Sequence, residues 1–417
     1  MRLTFPQHVL SNLYFIGILI VLAGSSYLAM PDLDNKTDVG SGLSFIAMAG
    51  LAAVQIPFLL YTFANRLKTP YTIPKPRFIT FYAIYFCWMT AVCILTDDFR
   101  NIIGLTVLSL TILVFPLMLS SSYYRARNGE LNKLFFLAVL FMMACIVLQY
   151  VRLYSIANQL GDEKSHIAVS YFPLFILPVL LLPSSKFVRY LSILITTIVI
   201  ISSIKRGGLI ALGASLLVYV IIKQIVSGES KIKQLVALIS VALVMSGVLY
   251  YLQKQEDNNV VERMYNITDD GGSGRDVLWE DTYRNIHNRD ALSRAIGNGY
   301  RSAQKVSKFH LPAHNDVLEI WYDFGGIGII LYAIAFFSLL RYTIRLIKRK
   351  SRYAPHLAMT MTFYIFLSMI SIVVLYFWMV LLMFTTGIIA GLADSEMEEN
   401  IPKPHSNNLT HEYILHN

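Results

Sequence analysis

Uninterrupted apolar runs of membrane-spanning length recur along almost the whole chain, and they restrict its fold more than any other feature. A helix of about 20 predominantly apolar residues crosses the hydrocarbon core of a bilayer. Only 15% of the 417 residues are charged, whereas soluble domains carry about 25%, so too few ionic groups remain to cover a water-facing surface. The sequence therefore predicts an all-α polytopic membrane protein.

Twelve transmembrane helices are predicted, and one long polar loop separates the ninth from the tenth. The predicted spans are residues 14–30, 43–64, 78–95, 102–120, 131–154, 167–182, 188–204, 209–225, 235–252, 317–340, 356–374 and 377–392. Helices one to nine occupy residues 1–252, the large loop with its short interfacial helices occupies 253–316, and helices ten to twelve occupy 317–393. Residues 394–417 are polar and unpatterned, and we expect them to form a disordered cytoplasmic tail.

The distribution of basic residues among the loops predicts the orientation of the chain. Lys and Arg cluster in alternate loops, near residues 66–77, 125–133, 186–189, 223–233 and 341–352. Loops rich in Lys and Arg stay cytoplasmic, so both termini are predicted to be cytoplasmic and the large loop to lie outside. The placement of the basic residues matters more than the net charge of +9. The expected surroundings are therefore membrane lipids, and no nucleic-acid partner is expected.

Two basic elements on the predicted outer face are candidates for anion binding. Lys205 and Arg206 lie in a very short outer loop, where positive charge is disfavoured unless it pairs or binds something. Ser273 is predicted to cap a helix and to form a capping box with Asp276, which places Arg275 in the first turn beside free backbone N–H groups. Snorkelling of Arg206 and simple solvation of Arg275 are the ordinary alternatives.

A second group of polar residues lies at the start of the tenth predicted span. Asp316, Glu319 and Asp323 share one helix face, and acidic groups within a span usually face a polar cavity. His314, just before them, is either a helix cap or packing residue, or a functional group. The proline between His310 and His314 argues against one helix presenting both rings, and no third strong ligand is adjacent. No metal site is therefore expected.

These motifs, taken in order, resemble the O-antigen ligase and polymerase superfamily of bacterial envelope glycosyltransferases. The resemblance is strongest over about residues 190–340 and includes the large loop between the ninth and tenth spans. It rests on Lys205-Arg206-Gly207, on Ser273-Gly274-Arg275 with Trp279, and on His314-Asn315-Asp316-x-Leu318-Glu319 followed by Gly325-Gly326-x-Gly328.

The resemblance implies metal-independent glycosyl transfer, without a cofactor, on the periplasmic face of the bacterial inner membrane. The donor it implies is a glycan carried on undecaprenyl diphosphate. Arg206 and Arg275 correspond to the family's arginines that bind the donor diphosphate, and His314 to the histidine that contacts or deprotonates the acceptor hydroxyl. Glu319 either orients His314 or is the base itself. Further substrate-binding residues are expected at Arg152, Lys205, Arg301 and Asn315.

The acceptor distinguishes the members of this superfamily. A polymerase extends a second lipid-linked glycan, and a ligase transfers the finished chain to the lipid A core. We favour a repeat-unit polymerase for O-antigen, capsule or exopolysaccharide, with a chain-length regulator as a further partner, and keep the ligase as the alternative. A transporter of a lipid-linked sugar is a third hypothesis, but it predicts charges near the bilayer midplane in both halves of the chain, and only Asp323 fits that pattern.

Overall fold

The computed structural model describes residues 76–96, 133–160, 168–203 except 184, 206–228, 271–370 except 309, and 379–399. Pieces of at most three residues are also described before residue 122 and between residues 239 and 250. The predicted spans at 14–30, 43–64, 102–120 and 235–252 lie almost entirely outside these residues. The number of spans in the whole chain therefore stays a prediction.

Every regular element in the described part of the chain is a helix. The eleven helices are α1 Arg77–Leu95, α2 Lys133–Leu160, α3 Phe172–Leu180, α4 Lys186–Ser202, α5 Arg206–Ser227, α6 Gly271–His287, α7 Ala291–Ile296, α8 Ser302–Val306, α9 Asp316–Lys348, α10 Ala354–Ile370 and α11 Met379–Glu399. A 3-10 turn, Ala168–Tyr171, precedes α3. The prediction of an all-helical fold is confirmed for these residues.

Five of these helices are long and apolar enough to cross a bilayer. They are α1, α2 over Phe136–Ile156, α5 over Gly207–Ser227, α9 and α11. Each coincides with a predicted span to within a few residues, with two exceptions. The C-terminal ends of α9 and α11 extend seven or eight residues beyond the predicted spans, which end at residues 340 and 392. Several such helices in one chain indicate a multi-pass membrane protein. Among the described helices, α9 packs along α1, and the shorter apolar α10 packs along α5.

Helix α3 corrects one predicted span. Residues 167–182 were expected to cross the membrane, but α3 has only nine residues, about 14 Å at 1.5 Å per residue. Pro173 stands in its first turn and Pro178 in its interior, where a proline removes a backbone donor. All nine residues are buried, and Thr385 of α11 donates a hydrogen bond to the carbonyl of Phe175 at 2.7 Å. Helix α3 is thus a short central element packed among α2, α4, α10 and α11.

Helix α9 is bent at Gly325, which has φ 70° and ψ −176°. This conformation is far from helical values, so the first arm, 316–324, and the second arm, 326–348, do not share one axis. The second arm alone is about 34 Å long at 1.5 Å per residue, enough to cross a bilayer. Trp88 of α1 donates its indole N–H to the carbonyl of Phe324 at 2.9 Å, which satisfies a backbone acceptor at the bend.

The predicted start of the C-terminal tail, at residue 394, is also corrected. Helix α11 continues to Glu399, so residues 394–399 are helical, and the expected tail can begin no earlier than residue 400. Asp394 is buried and accepts a hydrogen bond from the hydroxyl of Tyr342 at 2.7 Å, while the carboxylate of Glu396 accepts one from Ser351. These contacts tie the end of α11 to the end of α9. Residues 400–417 lie outside the described part.

Candidate functional site

Residues 271–315 form the end of the bundle at which the motif residues gather, here called the loop end. Helices α6, α7 and α8 all pack against α9. Ile286 of α6, Ala303 of α8 and Tyr322 of the first α9 arm form a small buried cluster of their own. The first arm is therefore a platform on which the described part of the loop is assembled.

Asp323 holds this assembly together. Its carboxylate is 1% exposed and accepts hydrogen bonds from the N–H groups of Arg301 and Ala303, at 2.8 and 2.9 Å. The hydroxyl of Ser302 donates to the same carboxylate at 2.9 Å. The backbone carbonyl of Asp323 accepts from the N–H groups of residues 298 and 299. Because these donors come from the loop, Asp323 caps the start of α8 and does not face the polar cavity that the sequence suggested.

Two glycines allow the loop to approach the bend in α9. Gly297 and Gly325 have φ values of 99° and 70°, a region that favours glycine. A Cβ on Gly297 would overlap the backbone of Asp323, and a Cβ on Gly325 would overlap the backbone of Ala295. The bend and the loop are thus in direct backbone contact, and neither position tolerates a side chain without displacement.

Asn315, and not His314, caps α9. The side-chain oxygen of Asn315 accepts hydrogen bonds from the N–H groups of Val317 and Leu318 at 3.0 and 3.3 Å. His314 precedes the cap in a left-handed conformation, with φ 52°. The capping interpretation of His314 is therefore wrong. The capping hydrogen bonds also give Asn315, which was predicted to bind substrate, a structural role.

Glu319 fixes the turn that carries His314. Its carboxylate is buried and accepts a hydrogen bond from the N–H of Ala313, the residue before His314. This contact holds the backbone on one side of His314, and the Asn315 cap holds it on the other. The arrangement fits the positioning role that the sequence allowed for Glu319.

Contacts between distant segments bring the three motif regions to the loop end. The start of α5 meets the end of α10, because a Cβ on Gly207 would overlap the side chain of Ile370. The amide of Asn315 donates to the carbonyl of Met369 at 3.5 Å, next to the same position. On the other side, a Cβ on Gly208 would lie 3.1 Å from the ring of Tyr171.

Arg275 joins this group beside Tyr171: burial raises the pKa of the Tyr171 hydroxyl to about 12, and the positive charge of Arg275 opposes this shift. Helix α6 begins at Gly271, so Arg275 falls in the second turn and the predicted Ser273 cap does not mark the start. The indole N–H of Trp279, one turn beyond Arg275, has no hydrogen-bond partner among the described residues. It is a donor facing the same side of α6 as Arg275.

Two of the remaining predicted residues, Arg301 and Arg152, lie at or near this end. Arg301 takes a left-handed conformation just before α8, and its side chain makes no capping hydrogen bond. Its guanidinium lies 5.3 Å from the ring centre of Tyr300. Arg152 is exposed on α2, and its neighbour Tyr150 shares a 2.8 Å hydrogen bond with Ser202 at the end of α4. Arg206 is the first described residue of α5. Its side chain and the whole of Lys205 lie outside the described part.

Arg289 is a cation that the sequence analysis missed. Its guanidinium lies 3.9 Å from the ring centre of Tyr322, a cation–π contact. Burial lowers the pKa of Arg289, and the nearby Asp323 charge opposes this shift. Nothing in the local pattern distinguishes this arginine, because the aromatic partner is contributed by α9.

His310 and His314 both have positive φ, 53° and 52°. In the described part of the chain, no three His, Cys, Asp or Glu side chains are grouped as metal ligands. Metal independence stays an expectation.

The comparisons with known proteins identify the central region. A family model described as O-antigen ligase matches residues 191–333, from α4 to the second arm of α9. The match contains the three motif regions, so the resemblance to the O-antigen ligase and polymerase superfamily is confirmed there. No curated protein matches the chain.

Proposed function

Since residues 191–333 carry an O-antigen ligase domain, we propose that this protein is a glycosyltransferase of the bacterial inner membrane, with its active site at the loop end on the periplasmic face. It transfers a glycan from undecaprenyl diphosphate to an acceptor hydroxyl. The observation that supports this most strongly is the convergence of the start of α5, the start of α6 and the turn before α9 within the matched region.

The donor diphosphate binds at the starts of α5 and α6. The first N–H groups of a helix have no partner within it, and the helix dipole favours an anion there. Arg206 and Arg275 add guanidinium groups, which donate forked hydrogen bonds to phosphate oxygens. Negative charge on the diphosphate grows as the glycosidic C–O bond breaks, so these donors stabilise the transition state more than the ground state. The indole N–H of Trp279 is a further donor at this position.

The acceptor is activated by His314. An imidazole accepts the proton of the attacking hydroxyl while the acceptor oxygen bonds to the anomeric carbon. The bond from that carbon to the phosphate oxygen breaks, and undecaprenyl diphosphate leaves. Glu319 is a positioning residue here, because it holds the turn that carries His314.

We assign the reaction to a repeat-unit polymerase, with a second lipid-linked glycan as acceptor and a chain-length regulator as a partner. A ligase that transfers the glycan to the lipid A core is the second candidate, favoured by the description of the matching family. Both share the donor and the proposed residues, so the acceptor alone separates them.

The test uses purified protein in liposomes without any transmembrane gradient. The donor is a lipid extract from cells that lack this protein and accumulate the lipid-linked glycan. A polymerase produces a ladder of longer lipid-linked glycans from this extract alone. A ligase produces glycosylated lipid A only when lipid A core is added. Movement of the glycan across the bilayer with no new glycosidic bond would instead establish a transporter.

A further inference from the structure

Three aromatic side chains near the candidate site are not used by the proposed chemistry. We propose that Tyr283, His287 and Trp321 form a subsite that binds the sugar rings of the glycan chain; this inference rests on the proposed function. The three rings are called the aromatic corner.

The rings form two walls that meet at a large angle. The rings of Tyr283 and His287 have centres 4.0 Å apart and an interplanar angle of 39°. Trp321 stands across them, at 77° to Tyr283 and 71° to His287, with centre separations of 6.4 and 5.9 Å. The three rings therefore present flat surfaces in two directions, whereas parallel stacked rings would present them in only one.

Tyr283 and His287 lie outside the buried face with which α6 packs on α9. Leu278, Thr282 and Ile286 supply the buried face of α6, and Ile286 enters the cluster with Tyr322. Tyr283 is 51% exposed, and His287 is also exposed. Trp321 is half-buried and packs against that cluster, which holds its ring in place.

The surroundings of the corner are polar, which argues for a sugar and against membrane lipid. Glu280 and Arg284 form an ion pair at 2.6 Å on the same face of α6, and their side chains are 70% and 67% exposed. Spacings of three and four residues place this pair among Tyr283 and His287. A helix face buried in lipid would carry apolar residues at these positions.

A sugar ring matches this combination of groups. One face of a pyranose presents C–H groups that pack on an aromatic ring, while its hydroxyls need donors and acceptors at the edge. Tyrosine and tryptophan rings offer large rigid surfaces with a polar tip. Glu280 accepts and Arg284 donates hydrogen bonds beside them. Apolar ring faces bordered by charged groups are thus the surface a hydroxylated chain requires.

The position of the corner relative to the candidate site supports the same ligand. Tyr283 lies about 12 Å along α6 from Arg275, and Trp321 lies about 8 Å along the first α9 arm from Asp316, which follows His314 by two residues. Two elements thus run from the proposed transfer site to the corner. A glycan whose reacting sugar lies at His314 would place a sugar further along the chain against these rings.

The test compares two apolar substitutions at Tyr283, one that keeps the aromatic ring and one that removes it. Tyr283→Phe keeps the ring, whereas Tyr283→Leu removes it but stays apolar. The probe is the glycan released by mild acid from the accumulated lipid-linked donor, titrated into full-length protein in detergent with calorimetric detection. We expect Phe to bind as the native protein does, and Leu to bind about tenfold more weakly, as expected for one lost ring contact.

Leu292→Ala is the matched control, because Leu292 is also on the loop and is 68% exposed. It should bind the glycan as the native protein does. Equal affinity of Tyr283→Leu and the native protein would overturn the subsite, as would an equal loss in Leu292→Ala. A folding defect in a Tyr283 variant is detected as a changed Tm. In that case the comparison is repeated at Trp321, with Trp321→Phe as the variant that keeps an aromatic ring and Trp321→Leu as the variant that removes it.

The binding assay also separates this inference from the proposed function. If the purified protein forms no glycosidic bond yet binds the released glycan in a ring-dependent way, the transferase proposal fails and the subsite stands. If transfer proceeds but Tyr283→Leu leaves glycan affinity and product length unchanged, the transferase stands and the subsite is refuted.

Discussion

His314 and His310 are unusually well matched residues for testing a role in catalysis. Both are histidines in a left-handed conformation, at φ 52° and 53°, and they are four positions apart. Asparagine is among the residues that best tolerate this conformation. Replacing either histidine with asparagine therefore changes the ring while leaving the backbone undisturbed.

We expect His314→Asn to lower glycan transfer by about 10²–10⁴-fold, the usual contribution of a general base. His310→Asn should transfer at close to the native rate. The measurement is product formed by membranes with matched protein levels, and binding of the lipid-linked donor should persist in both variants. An active His314→Asn protein would leave Glu319 as the next candidate base. Equal losses in both variants would revive a metal-binding role for the two histidines.

The proposed diphosphate site makes a prediction for Arg275. Arg275→Ala should lower transfer by about a hundredfold or more, since a lost donor to the leaving group costs about 2–4 kcal/mol in the barrier. Arg275→Lys should recover only part of the rate, because an ammonium lacks the forked geometry. Arg206→Ala should lose activity similarly. Arg294→Ala, which removes an exposed charge on α7, is the control and should transfer normally; a similar loss there would indicate a general charge effect.

At the scale of elements, the bend in α9 determines the shape of the loop end. It separates the spanning arm from the arm that carries Asp316, Glu319 and Asp323. Glu319 and Asp323 therefore hold the loop and its turns from the first arm. Asp323 contributes by accepting three loop donors while almost completely buried.

The bend predicts different effects at two adjacent glycines. Gly325→Ala should destabilise the protein by about 3 kcal/mol or more, because a Cβ in this left-handed conformation overlaps the backbone of Ala295. Gly326→Ala should be within about 0.5 kcal/mol of native, since its nearest contact would be the Arg294 carbonyl at 3.8 Å. The measurement is Tm of the purified protein in detergent. Equal Tm values for the two variants would show that the bend is not required.

At the scale of the whole molecule, the charges at the two ends of α9 predict its orientation. Six exposed basic residues follow or end the second arm: Arg341, Arg345, Lys348, Arg349, Lys350 and Arg352. Such clusters stay cytoplasmic. The loop end, separated from them by the membrane-spanning arm, would then face the periplasm.

Cysteine labelling tests this orientation in a variant whose three native cysteines are replaced by alanine. Leu292→Cys should react with an impermeant maleimide added to spheroplasts, and Lys348→Cys should react only after the membrane is opened. Both positions are exposed, so accessibility within the protein does not limit the reaction. Labelling of Lys348→Cys from outside would reverse the topology and with it the proposed periplasmic site.

The sequence alone determined the all-helical membrane architecture, the bounds of α1, α2, α5, α9 and α11 to within several residues, and the resemblance of the central region to the O-antigen ligase family. These features depend on local composition: a run of apolar side chains selects the bilayer whatever its partners are. The motif residues could be named for the same reason, because Arg275 and His314 stand in short contiguous patterns.

Only the tertiary structure decided how those elements are used. A span was expected where α3 is a short buried helix, and a cavity-facing acid where Asp323 binds loop N–H groups about 20 positions away. The cap at α9 belongs to Asn315, and the bend at Gly325 is in direct backbone contact with the loop. Hydrogen-bond partners and backbone contacts between distant segments depend on packing, which no local pattern records. The aromatic corner is of the same kind, since α6 and α9 each supply only part of it.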